Sequence, residues 1–125
     1  DVLHLYQAVG WTNYTHQPEM LEQALSHSLE IYVALDGDAV VGLIRLVGDG
    51  FSSVFVQDLI VLPTYQRQGI GSALMKEALE YYKDAYQVQL VTEETEKNVG
   101  FYRSMGFEIL STYNCIGMTW MNREK

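Results

Sequence analysis

Two glycines at a helix start are the first chemically informative feature of this sequence. The segment Leu59-Ile60-Val61-Leu62-Pro63-Thr64-Tyr65-Gln66-Arg67-Gln68-Gly69-Ile70-Gly71-Ser72-Ala73-Leu74 reads as a buried strand, a turn and an amphipathic helix. Pro63 denies the ladder a donor, so the strand stops before it. A helix opening at Ile70 leaves its first amides unpaired and aligned with its dipole, which makes an anion site. Gly69 and Gly71 carry no side chain, so a phosphate can approach the backbone, and Arg67 adds a positive charge. Two familiar phosphate motifs do not fit. A P-loop needs Lys-Ser/Thr after its last glycine, where this chain has Ser72-Ala73, and a dinucleotide fingerprint needs a third glycine where Leu74 stands. The same two glycines would also serve a plain strand-to-helix turn.

Asp58 is the second feature. It interrupts an apolar strand (Val54, Phe55, Val56, then Leu59 and Ile60), and an unpaired buried carboxylate is costly. The residue therefore has a partner, faces solvent or does chemistry. Cys115 is the one cysteine; it cannot form an intramolecular disulfide and is expected to be a small buried hydrophobe. His4, His16 and His27 show no paired spacing, so no metal site is expected.

These residues need elements to position them. Val2–Val9 and Pro18–Ser28 carry helical periodicity, with Trp11–Gln17 a loop between them. Glu30–Leu35, Ala39–Val47 and Phe51–Leu62 are β-rich and separated by Asp36-Gly37-Asp38 and Gly48-Asp49-Gly50, which predicts an antiparallel meander. A helix over Ile70–Lys83, a strand over Gln87–Thr92 and a helix over Asn98–Met105 follow. Closing strands are expected at Phe107–Leu110 and Tyr113–Met121. The fold class is mixed α/β (α+β), one sheet flanked by helices.

Composition sets the outer limits. The 125 residues suit one domain spanning 1–125, and 48% apolar residues are enough for a core. Eight basic residues against 16 acidic ones give a net charge of −8 without a Lys/Arg cluster, which argues against nucleic acid as a partner. No run approaches a membrane-spanning length and no signal pattern opens the chain, so a cytoplasmic protein without a membrane partner is expected. The chain opens on Asp1 and not on Met, so further N-terminal residues are expected.

Gln66-Arg67-Gln68-Gly69-Ile70-Gly71, preceded by Val61-Leu62-Pro63, resembles motif A of the GCN5-related N-acetyltransferase (GNAT) superfamily. Asn98-Val99-Gly100-Phe101-Tyr102-Arg103-Ser104-Met105-Gly106-Phe107-Glu108 resembles motif B of that family. The likeness runs from about Leu29 to Trp120. Val9-Gly10-Trp11, Asp58 and Gly117-Met118-Thr119-Trp120 are further similar to a branch that includes plant and cyanobacterial serotonin N-acetyltransferases.

The resemblance implies a mostly antiparallel mixed sheet with two splayed strands, and acetyl-CoA as the acetyl donor. Leu59, Ile60 and Val61 would bind the pantetheine arm through their main chain, with the amide near Ile60 polarising the thioester carbonyl. Gln66, Arg67, Gln68, Gly69, Ile70, Gly71 and Ser72 would hold the pyrophosphate. Tyr102 is implied as the acid that protonates the departing thiolate, Asp58 as the base, and Asn98 with Phe101 as further cofactor contacts. Direct transfer to a small cationic or arylalkyl amine is the activity implied, and the acidic run Glu93, Glu94, Glu96 would steer such a cation. A non-catalytic acyl-CoA sensor and a protein lysine or N-terminal acetyltransferase are the alternatives. A homodimer is a further expectation from the family, whose first strand is not legible ahead of the first helix.

Overall fold

The computed structural model describes residues 2–121. The chain forms two compact units, Asp1–Leu90 and Val91–Lys125. The first contains α1 (Leu3–Ala8), α2 (Thr12–Thr15), α3 (Pro18–Ser26), β1 (Glu30–Asp36), β2 (Ala39–Gly48), β3 (Val54–Val61), a 3-10 turn at Pro63–Tyr65, α4 (Ile70–Tyr81) and β4 (Val88–Leu90). The second contains α5 (Glu96–Ser104) and a 3-10 turn at Leu110–Tyr113. The expected loop between the first two helices thus holds one helical turn, closed by the Thr15 amide bond to the Trp11 carbonyl.

The sheet has the order β1-β2-β3-β4, antiparallel through β3 and parallel between β3 and β4. The meander forms because each connection is a tight turn. At the second, Gly48 has φ +129°, and a Cβ there would meet the Ser53 carbonyl oxygen at 2.3 Å, so only glycine fits. Asp49 completes that turn: Oδ1 accepts from the amides of Phe51, Ser52 and Ser53 at 2.8, 2.8 and 3.1 Å. These four residues are therefore turn, and the third strand begins at Val54 rather than at Phe51.

The sheet is covered on both faces. Leu43 packs with Leu5, Tyr6, Leu21 and Ile60, which places α1 and α3 over that face. Gly42, its neighbour in β2, points the other way. A Cβ on Gly42 would stand 3.2–3.3 Å from side-chain atoms of Ile70 and Leu74, so α4 lies close against the opposite face.

The expected closing strands are absent from the described residues. After Gly106 the backbone makes no ladder, and Asn114 ends the 3-10 turn with a left-handed φ of 61°. A strand needs a neighbour for its amides, and apolar alternation cannot supply one. Ile116, Met118 and Trp120 are largely exposed, and so is Cys115, which corrects the expectation of a buried thiol.

Candidate functional site

The pairing of β3 with β4 covers only Val54–Val56 against Val88–Leu90. Beyond Val56 that edge of β3 has no strand partner among the described residues, so the two strands part. The register on the other edge determines which main-chain groups face the opening. The Leu62 amide donates to the Val41 carbonyl at 2.9 Å, flanking the Gly42–Val61 pair. Hydrogen-bonded and non-bonded pairs alternate in an antiparallel ladder, so Leu43–Ile60 is the next bonded pair. The Ile60 amide is committed to β2. Leu59 and Val61 turn their main-chain groups to the open edge, and those two, not Ile60, are placed to receive an extended ligand.

The turn that follows is built to present amides. The Gln66 Nε2 donates to the Val61 carbonyl at 3.0 Å and ties the turn to the strand end. Tyr65 donates to Asp36 Oδ2 and anchors the same turn to the β1–β2 hairpin. Arg67 has φ 66° and Gly69 φ 83°, two left-handed residues in three, a backbone of the tight-turn kind from which anion nests are built. Gly69 caps α4 without a side chain, and the first helical bond runs from the Ala73 amide to the Gly69 carbonyl at 2.9 Å. Ile70, Gly71 and Ser72 make up that opening turn, with Arg67 and Gln68 exposed beside it.

Asp58 is only 3% exposed and is not alone. Its Oδ2 accepts from Arg45 Nε at 2.7 Å and from the Tyr6 hydroxyl at 2.9 Å, and its Oδ1 from the Tyr14 hydroxyl at 3.4 Å. Arg45 Nη1 reaches the Ser28 hydroxyl at 3.2 Å and the Ala24 carbonyl at 3.4 Å, and Nη2 the Tyr14 hydroxyl at 3.4 Å. A β-bulge creates this cluster. Arg45 opposes Asp58 but Leu46 opposes Val56, leaving Gln57 as the extra residue. Arg45 and Leu46 face opposite sides, so Asp58 points away from Val56 and toward α1–α3. Burial first, and then the Asp58 charge, push the Tyr6 phenol far above its ordinary range. Arg45, Tyr6 and Tyr14 are site residues that the motif pattern does not reach. The available signal was Arg45 itself, a lone charge in Ala39–Val47 as Asp58 is in its own strand.

The remaining motif residues lie in the second unit. Thr95 caps α5 by accepting from the Asn98 amide at 3.1 Å, and Asn98 Nδ2 donates to the Glu93 carbonyl at 3.1 Å. The Asn98 side chain thus braces the loop ahead of the helix. Tyr102 sits edge-on between Phe101 (5.0 Å between centroids) and Phe107 (6.0 Å), all three half-buried. Burial raises the Tyr102 phenol above its usual value, opposed by a hydrogen bond with Thr92.

Residues 27–109, which contain the parted strand pair, the turn and the helix behind it, match the family model of the acetyltransferase (GNAT) domain. The chain belongs to the GNAT family. Among solved structures, a GNAT-family acetyltransferase from Streptococcus pneumoniae is 85% identical with a TM-score of 0.89, over 98% of this chain and 89% of that one. A GNAT acetyltransferase from Elizabethkingia anophelis with acetyl-CoA bound shares the fold at 22% identity and a TM-score of 0.64, over 94% of this chain and 78% of that one. Serotonin N-acetyltransferase 2 of rice chloroplasts is 32% identical over 73% of this chain; the chain spans about half of that protein, 48%. Among the described residues, no group of three or more His, Cys, Asp or Glu side chains is arranged to hold a metal.

Proposed function

We propose that this GNAT protein transfers an acetyl group from acetyl-CoA directly to a primary amine, with a small cationic or arylalkyl amine as acceptor. The observation that carries the reading is the parting of β3 from β4 at Val56–Leu90, immediately ahead of the amide-lined turn. The residues present fit the cofactor: main-chain groups of Leu59 and Val61 at the open edge suit the pantetheine amides, and the turn from Gln66 to Ser72 suits the pyrophosphate. Bound there, acetyl-CoA supplies an activated acyl carbon as its thioester.

The chain's own groups have three tasks. The amides at the start of α4 and Arg67 hold the anionic end, so a chain of net charge −8 needs no basic patch. Tyr102, by its place in the motif-B pattern, is the acid assigned to the thiolate: its hydroxyl keeps its proton at neutral pH and would supply it as the C–S bond breaks and the N–C bond forms. Only the neutral amine attacks, so the ammonium first gives one proton to solvent; the adduct nitrogen gives up a second as it becomes the amide, and the Tyr102 phenolate recovers its proton from solvent. Asp58, expected as the base, is held by the Arg45 guanidinium and by the Tyr6 and Tyr14 hydroxyls, and the part proposed for it here is positional. It orients Arg45, Tyr6 and Tyr14 instead.

The test is a panel of amines and lysine peptides with acetyl-CoA, following thiol release. Release with small amines supports this reading, and release with peptides alone moves the activity to protein acetylation. No release alongside tight coenzyme A binding leaves a sensor.

A further inference from the structure

Within the first unit, Asp58 and the three side chains that hydrogen-bond directly to it are four polar groups, and three of them are closed to solvent: Tyr6, Arg45 and Asp58 are 0%, 4% and 3% exposed. Tyr14 alone of the four is half-buried. Its hydroxyl donates to Asp58 Oδ1 and accepts from Arg45 Nη2, each at 3.4 Å. A phenol has one proton and two acceptor positions. With the proton turned to the carboxylate and one lone pair turned to the guanidinium, a single acceptor position remains. The Tyr14 oxygen can therefore accept a further hydrogen bond but cannot donate one.

We propose that this hydroxyl is the group that recognises and orients the incoming amine, an assignment that rests on the acetyl-transfer reading and adds its acceptor-recognition element. An N–H donor matches the remaining position; a carboxylate, a phosphate or an ether oxygen does not. When one N–H donates to Tyr14, the amine nitrogen keeps its lone pair for the acyl carbon. The location agrees with the task. Asp58, to which Tyr14 is bound, directly precedes Leu59, the first residue whose main chain faces the open edge of β3. The Tyr14 ring is fixed by Tyr6 at 5.3 Å, edge-on, and by Trp11 at 6.2 Å, so the hydroxyl is held before substrate arrives. A buried ion pair adds little net stability of its own, whereas holding one hydroxyl in one orientation is work that Arg45 and Asp58 perform together.

Tyr14→Phe keeps the ring and removes the oxygen. With 2-phenylethylamine as the probe, the variant is expected to raise the KM for amine about tenfold, the worth of one hydrogen bond, with the KM for acetyl-CoA unchanged within about twofold. An unchanged amine KM overturns the assignment, and so does a parallel rise in both KM values with a lowered unfolding midpoint, which marks a purely structural residue. Titration calorimetry of the same amine onto coenzyme A-saturated protein reads the contact without turnover. Weaker binding to the variant supports Tyr14 even where no acetylation is seen, a result that would sink the transferase reading alone. Equal binding to both proteins, or none to either, overturns the assignment.

Discussion

Arg45 Nε lies 2.7 Å from Asp58 Oδ2 across the β2–β3 ladder, with the two side chains 5% and 2% exposed. Neither charge could be buried without the other. Replacing Arg45 with Met strands a carboxylate, and removing one partner of such a pair costs about 3–5 kcal/mol. Joint replacement by Met and Leu removes both charges, so R45M/D58L is expected to be more stable than R45M in urea unfolding. Equal stability of the single and double variants would show that the pair is not coupled.

Gly69 has φ 83° at the start of α4, and a Cβ there meets nothing within 4 Å. Gly69→Ala therefore carries a backbone penalty without a clash, about 1–2 kcal/mol in the left-handed region. Coenzyme A affinity is expected to fall by several-fold as the amide nest distorts, read by calorimetry. Loss of stability with intact affinity would place the phosphates elsewhere.

Tyr102 has its phenol raised by burial, so it holds its proton beyond pH about 10, the ordinary tyrosine value. The kcat of the wild type should stay level through pH 9 and fall only above 10. Tyr102→Phe is expected to lower kcat by about 10²-fold or more, the usual worth of a general acid, and to leave coenzyme A affinity nearly intact. Retained turnover would remove Tyr102 from the proton path.

Asp49 accepts three amides and the Ser52 hydroxyl, the latter first among the causes that lower its carboxyl well below the usual range. Its folded pKa lies under its unfolded one, so its stabilisation is complete above the unfolded value of about 4 and is lost as the pH falls through the lower one. The wild type should lose stability between pH 4 and 2 more steeply than Asp49→Asn, measured by thermal unfolding across that range. Parallel curves would mean that the turn draws nothing from the charge.

Local chemistry made much of this protein legible from its residues. Asp36-Gly37-Asp38 and Gly48-Asp49-Gly50 place the hairpins, and Pro63 with Gly69 sets where the motif-A strand ends and α4 begins. Each of these depends on φ preferences and donors within a few residues. The closing strands expected at Phe107–Leu110 and Tyr113–Met121 do not form for the opposite reason, since apolar alternation at Tyr113–Met121 states a preference and not a partner. The partners of Asp58 also lay outside the sequence pattern.

The sequence by itself determined the meander, the helix start and the glycine turn before it, because backbone sterics act between neighbours. Only the tertiary structure decided that Leu59 and Val61 face the opening, and that Asp58 meets Arg45, Tyr6 and Tyr14. Those outcomes hang on the strand register and on one bulged residue, Gln57, and a shift of one residue reverses every side chain beyond it.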